Sequence, residues 1–422
     1  MSEKNIKKIG IRDALGEYIY TDIGVDADKV DIDSSTNLAE KLVEIDNKFE
    51  DLKAGGYASK DIYGDEKINL GRKVGTSAGL YSVTIGRDVS ATGICSLAEG
   101  SGTTARGDYS HSEGNQTTAS GENSHSEGYD TKAEGSRSHA EGSGTTASRS
   151  CAHSEGSQTT ASGGASHSEG TGTTARGYTS HAEGIDTTAI GDASHAEGKD
   201  TTASGLYSHS EGTSTIASGD SAHAEGNQTT AIGEASHAEG NNTTTSSYAS
   251  HAEGNGTTAD AYASHAEGNG TTAGAYASHA EGNGTTAGGE YSHAEGYDTT
   301  TSSYASHAEG YNTTAGGEYS HAEGHGTIAG GENSHSEGYG TIASGQTQHV
   351  QGRYNVEDTN DRYAHIVGGG SRMERKNIHT LDWLGNAEFA GDVVIHDLNG
   401  NAISLANAIS LINTALTNAN LL

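Results

Sequence analysis

The sequence predicts an all-β chain: a parallel β-roll, or solenoid, of about 20 coils with a 14-residue repeat, with short helical coiled-coil segments at both ends. Three observations lead there. The first is composition. The 422 residues include no proline, 62 glycines, 5% aromatics and 31% hydrophobic residues, poor material for an ordinary globular core or a large compact enzyme. A net charge of −33 with so little apolar content would suggest disorder, but repetition lets each unit bury its faces against the next. The second is the period: 18 of the 22 histidines recur every 14 residues from His111 to His349 without a slip. The third lies inside one repeat, SHSEGNQTTASGEN (110–123), where two extended segments are separated by turn residues and no 3.6-residue apolar stripe runs through. Two short strands and two tight turns describe one rung of a solenoid, hydrogen-bonded to the rungs above and below.

Taken in order, residues 1–33 form an N-terminal attachment segment. Residues 34–56 form a short neck, with Leu38, Leu42, Ile45, Phe49 and Leu52 spaced as a heptad seam, Asn37 and Glu40 placed as a capping box, and Gly55-Gly56 as the stop. The alternative there is an amphipathic helix packed on the roll. Residues 57–81 lead into the roll, which spans 82–352. A small β tip follows over 353–400, and a C-terminal amphipathic helix over 401–422 carries Leu405, Ile412 and Leu416 on its apolar stripe.

Strand alternation assigns the faces of the roll. Residues flanking each histidine are almost always Ser or Ala, while His and Glu point the other way. On the second strand, the column from Thr103 to Thr341 is invariantly threonine, and the residue after it varies and accepts Lys132, so that residue faces outward. The lumen is therefore narrow, lined by Ser, Ala and Thr able to share hydroxyl hydrogen bonds along the axis. It buries little apolar area, so a single rod would be marginal. The His/Glu face is the constant large surface left over, and a second copy of the chain is the constant partner that suits it. The expected homotrimer seam comprises His111/Glu113, His125/Glu127, His181/Glu183, His251/Glu253, His265/Glu267 and His335/Glu337, with imidazoles bonding to carboxylates of neighbouring chains. Paired in that way, the imidazoles would titrate higher and the carboxylates lower, placing maximal stability at mildly acidic pH.

SVTIG at 82–86, followed by DVSATG, resembles the head repeat of trimeric autotransporter adhesins. That resemblance implies a left-handed parallel β-roll of 14-residue period whose second and fourth motif residues face a threefold axis, placing Val83 and Ile85 at the start of the seam. A second stretch, HVQGRYNVEDTNDRYAHIVGGG followed by NIHTLDWLGNAEFAGDVVI, resembles the segment after such rolls in bacteriophage tail proteins, often just before a self-cleaving chaperone domain. No such domain follows, and no lysine lies downstream of Lys376 for a Ser/Lys dyad, so a protease is expected to be absent or already lost.

Chemistry on the His/Glu pairs is the competing reading. Imidazole and carboxylate are good metal ligands, yet a pair in every rung reads as architecture, and Leu97 and Gln351 occupy the same columns; no metal and no cofactor are expected. Glycoside cleavage needs two carboxyls in distinct environments, and every glutamate here has the same one. In SHAEG the Ser and His lie on opposite faces, which excludes a local triad. No enzyme activity is expected. Cys95 and Cys151 share one phase of the repeat, four coils apart, or about 19 Å, and are expected as free thiols. Acidity argues against nucleic acid, and no apolar segment suggests a signal or membrane insertion. His325, His365, His379 and His396 are expected at turns or the tip, and Tyr109, Tyr207, Tyr248, Tyr262 and Tyr276 near one turn, either stacking on sugars or simply facing solvent.

The expected function is a trimeric tail fibre or receptor-binding protein of a bacteriophage or phage-tail-like particle. Its partners would be a baseplate or tail protein at the N-terminus and a host cell-surface glycan or protein at the tip, with Trp383, Tyr363 and His379 as candidate receptor contacts. Its place would be the virion tail or an extracellular particle. A trimeric bacterial surface adhesin and a polysaccharide-depolymerising tailspike are the alternatives.

Overall fold

Each rung begins with a five-residue strand such as His111–Asn115, turns at Gln116, continues through the two-residue strand Thr118–Ala119, and turns again before the next serine. The structure, a computed structural model, describes residues 9–12, 18–21, 68–73, 75–391, 393–396 and 402–418. Successive rungs pair parallel and in register, His111 against His125, Glu113 against Glu127 and Thr118 against Lys132. The main chain therefore finds its partners one rung away: His111 N–H donates to Ser124 O at 2.9 Å and Gln116 N–H to Ser101 O at 2.8 Å. Stacking thus satisfies backbone polar groups that a 14-residue unit could not satisfy alone.

The glycine after each glutamate is required by close approach. Gly114 sits at φ 108°, and a Cβ there would meet Gly128 O at 2.2 Å. Any side chain would push the rungs apart, which explains why the column stays glycine from Gly86 to Gly352.

The lumen has the expected lining. Ser112, Thr117 and Ala119 are fully buried, whereas Lys132 on the intervening column is exposed. The hydroxyl bonds run across the lumen within a rung rather than along the axis: Ser112 Oγ lies 2.7 Å from Thr117 Oγ1, which also donates to Glu113 O. The reason is geometric. Equivalent hydroxyls of neighbouring rungs are offset by the strand spacing of about 4.8 Å, beyond hydrogen-bond reach, whereas two residues facing each other across so thin a lumen are within it.

The parallel sheet extends beyond the 82–352 series at both ends, to about 21 turns. Ile68–Arg72 pairs with Val83 onward at an offset of 15 residues, with a bulge between Leu70 and Arg72. Tyr363–Gly369 pairs with His349–Arg353 at an offset of 16, placing His365 opposite His349. His365 is therefore a column residue and not a tip residue; two inserted residues hide it from a strict 14-residue count. The lumen closes there on buried polar groups. Gln348 Nε2 donates to Tyr363 O at 2.9 Å, and Asn355 donates to Ile342 O while accepting from Ile342 N–H. Val350 and Ile366 replace the small residues of earlier rungs.

The strand Asn377–Asp382 then pairs antiparallel with the last parallel strand, and Ala387–Phe389 pairs antiparallel with it in turn. Val394–His396 pairs antiparallel with Ala402–Ser404. The C-terminal helix begins at Leu405 rather than at 401, because Ser404 ends a strand and accepts the Asn407 N–H as an N-cap; it is described as far as Asn418, and 419–422 lie outside the described residues. Leu405 and Leu416 are half-buried, but Leu411 and Ile412 are 67% and 56% exposed, leaving an apolar helix face uncovered among the described residues. Near the N-terminus, Ile9–Arg12 and Tyr18–Thr21 form an antiparallel pair. The expected neck, with Leu38, Leu42, Ile45, Phe49 and Leu52, lies outside the described residues.

Candidate functional site: the histidine and glutamate columns

Period and strand alternation together bring all expected seam residues to one side of the roll. From Val83 and Ile85 the face continues through Leu97 and Glu99 into the His/Glu rungs. Each long strand repeats one pattern: half-buried His, buried Ser or Ala, half-buried or exposed Glu, then Gly. The glycines carry no side chain, so an open groove runs beside the carboxylates, lined by Glu127, Glu141, Glu155 and their glycines.

Strand spacing sets the imidazoles in a continuous stack. His111 and His125 have ring centroids 4.7 Å apart and planes 4° from parallel, and the file continues to His335 and His349 at 4.9 Å. His223 and His237 interrupt it with an edge-on contact. The stack then reaches His365, which His379 meets edge-on before packing on Phe389.

The carboxylates lie beside the imidazoles of their own chain. Glu113 approaches His125 at 3.6 Å and His111 at 4.0 Å; Glu127 reaches His139 at 3.4 Å. His181 is 3.8 Å from Glu169, and Glu183 is 3.2 Å from His195, a hydrogen bond. Farther along, His251/Glu253 and His265/Glu267 pair within the rung at 3.8 and 3.7 Å, whereas His335 turns to Glu323 and Glu337 to His349, both at 3.5 Å. A ladder of imidazole–carboxylate contacts thus runs within one chain. A parallel stack already sets every carboxylate between its own imidazole and the next.

Within the chain the seam carboxylates differ in exposure: Glu253 and Glu267 have 49% and 48% of their side-chain surface open, against 32% for Glu113. The difference follows from the partner each selects. Glu113 bridges its own imidazole and that of the next rung, which holds the carboxylate down over the stack, whereas Glu253 and Glu267 turn only to His251 and His265 of their own rungs and leave their outer side to solvent. Ile85, at the start of the same column, is also exposed, at 43%, because no other segment of the described chain lies over this face.

The electrostatics differ from expectation as well. His153, His181 and His265 titrate below the ordinary imidazole value, first because the stack buries them and then because neighbouring imidazoles repel a second charge; the carboxylates pull upward and are outweighed. Glu155 is pushed up to about 8 by hydrogen bonds with Glu141 and Glu169 and by burial. Glu197 is raised to about 7, by burial first and then by bonds with Glu183 and Glu211. Glu141 and Glu183 are lowered, chiefly by the bonds that Glu155 and Glu169 make to them. Like charges one rung apart cannot all ionise freely, so neighbouring carboxylates such as Glu141 and Glu155 shift in opposite directions.

Residues 182–208, 210–233 and 224–244 match the YadA head domain repeat. The roll is built of trimeric-autotransporter-head-type β-roll repeats. No curated protein matches the chain. In these head-type repeats the Val83/Ile85 rung keeps the apolar pair, and the rungs from His111 onward carry imidazole and carboxylate at the same two places. The chain is thus an adhesin-like structural repeat protein.

Beside the seam columns the roll carries ladders that sequence reasoning passed over. At the last strand position, Asn227, Asn241, Asn255, Asn269 and Asn283 link their amides at 3.1–3.2 Å. Tyr297, Tyr311, His325 and Tyr339 then stack in the same column at 4.9, 4.8 and 4.4 Å. His325, expected at a turn or the tip, is instead the last residue of the strand His321–His325. The visible signal was identity at one phase of the repeat. Tyr248, Tyr262 and Tyr276 stack on one another at 5.1 and 5.2 Å, so the faces between them, including both faces of Tyr262, are occupied, which weighs against sugars lying there.

Of the tip candidates, Tyr363 pairs opposite Asp382, next to Trp383. The Tyr363 hydroxyl meets Glu388 at 3.4 Å and Arg362 covers its ring. Trp383 is 48% exposed and donates to Asp361 O at 3.0 Å. His379 is set apart from them, in the histidine stack.

Proposed function

We propose that the chain is a homotrimeric fibre subunit of a bacteriophage or phage-tail-like particle, in which a stiff roll spaces a host-binding tip from the particle. The observation that carries this reading is the in-register continuity of the roll from Val83 to Gly369. About 21 turns at about 4.8 Å make a rod of about 100 Å, with successive rungs held by main-chain bonds. The His/Glu face is the seam between copies, and the open sides of Glu253, Glu267 and Ile85 are surfaces that a neighbouring copy would cover. The uncovered helix face with Leu411 and Ile412 packs against its equivalents. Residues 1–33 dock on a baseplate or tail protein, and Trp383 and Tyr363 belong to the surface offered to a cell-surface glycan or protein. No reaction is required, and the protein works on the virion tail or extracellular particle.

The match to the YadA head domain repeat favours a second reading, a trimeric bacterial surface adhesin. Immunogold labelling of induced cultures separates the two. Gold on tail-like particles is the expected result, and gold confined to the bacterial envelope overturns it in favour of the adhesin. New reducing ends released from purified capsule would instead indicate a depolymerising tailspike.

A further inference from the structure

The seam columns hold more than mutual contacts. The imidazole of His167 lies between two carboxylates, its Nε2 3.8 Å from Glu155 and 3.9 Å from Glu169. At another rung Glu183 lies between His181 and His195, 3.2 Å from the latter. In both clusters one donor atom from each of the three residues falls within 4.8 Å of the others, and the same arrangement recurs along the column. The Nε2 atoms of His167 and His181 are enclosed and have no hydrogen-bond partner among the described residues.

These distances suit a small, borderline-soft ion. Nitrogen and oxygen donors bind Zn2+ or Co2+ at about 2.0–2.2 Å, which sets tetrahedral donors about 3.3–3.6 Å apart. The His167–Glu155 and His167–Glu169 separations of 3.8 and 3.9 Å need a few tenths of an ångström of closure, and donor pairs as far apart as 4.8 Å need the carboxylates themselves to swing together, a movement open to glutamates with free torsions beside an open groove. An ion bound there would take an in-plane imidazole lone pair and cancel the repulsion between carboxylates one rung apart. A magnesium-like ion gains little from imidazole and demands an oxygen octahedron.

We infer that the His/Glu ladder is a linear array of first-row divalent transition-metal sites, each formed by one imidazole with two carboxylates of adjacent rungs. Array geometry comes from one chain, so the inference stands independently of trimer formation.

The test uses the tag-free full chain with Cys95→Ser and Cys151→Ser, which removes the two exposed thiols as competing ligands. After chelator treatment, Co2+ is titrated at neutral pH and read by visible absorption and by equilibrium dialysis. The expected result is more than one Co2+ per chain, with the intense bands of four-coordinate nitrogen and oxygen ligation, displaced by Zn2+ and not by excess Mg2+. Glu155→Gln with Glu169→Gln and Glu183→Gln should lower the number bound while leaving the far-ultraviolet spectrum unchanged. Fewer than one Co2+ per chain, equal competition by Mg2+, or an unchanged stoichiometry in the folded variant would overturn the inference. If the variant does not fold, the unsubstituted ladder's stoichiometry and spectrum decide alone.

Discussion

Ala266 occupies the lumen position from which Ser112 bonds to Thr117, and Thr271, its counterpart across the rung, has a fully buried Oγ1 without a hydrogen-bond partner among the described residues. The correlation holds in other rungs: Ser126, Ser154, Ser168, Ser210 and Ser336 each pair with the threonine five residues on, while Thr145, Thr187 and Thr257, facing alanines, are unpaired. Ala266→Ser should therefore stabilise the roll by about 1 kcal/mol, a buried hydroxyl pair replacing an orphan, and Ser112→Ala should cost a similar amount. Chemical denaturation measures both. A loss of stability in Ala266→Ser would mean the lumen has no room for the hydroxyl.

Glycine requirement differs by column. Gly114→Ala should cost about 2 kcal/mol or more, since its Cβ would fall 2.2 Å from Gly128 O at a φ of 108°. Gly270→Ala, at φ 64° with nothing within 4 Å, should cost only about 1 kcal/mol, the price of a left-handed residue. Equal thermal shifts for the two variants would remove the close-approach argument.

The pH dependence of the metal-free protein follows from the ladder. Lowered imidazoles such as His153, His181 and His265 contribute fully above their unfolded value near 6.5 and lose that contribution as pH falls toward the folded value. Glu155 and Glu197 act oppositely: their contribution is present below the unfolded carboxylate value and fades as pH rises toward about 8 and about 7. Histidines depressed in this way recur along the whole column and outnumber the raised glutamates, so acid should win. Melting temperatures of chelator-treated protein are expected to fall between pH 7 and pH 5, as eleven imidazoles must charge inside a stack. A rise over that interval would instead support imidazole–carboxylate ion pairs.

The asparagine column offers a local test. Asn255 donates its amide to Asn241 and accepts from Asn269, so Asn255→Asp deletes a donor and adds a charge in a negatively charged rod. A loss of about 1 kcal/mol is expected at low salt, smaller at high salt because the column is exposed. Thermal melts at two ionic strengths read it.

Much of this architecture was legible in residues. Lys132 alone marked which strand face was outside, and invariant Thr103 to Thr341 with alternating Ser and Ala marked the lumen. What escaped depended on distances rather than types. The hydroxyl bonds cross the lumen because the pair Ser112/Thr117 is closer than one rung spacing. His365 was hidden by an offset of 16, and Ile68 by an offset of 15. The exposure of Glu253 and Glu267 was hidden too, since identical HAEG strands do not say which neighbouring imidazole a carboxylate will choose. The sign of the imidazole shift was lost because desolvation within a stack outweighs a nearby carboxylate, which spacing alone does not reveal. At the tip, Trp383 and Tyr363 became neighbours only through antiparallel pairing of Asn377–Asp382.

Light scattering on the full-length chain, with and without chelator, addresses the claim that the imidazole and carboxylate faces join copies into one fibre. A mass three times that of the 43.1 kDa chain is predicted under both conditions. A single-chain mass, with the β spectrum of the roll intact, would contradict it.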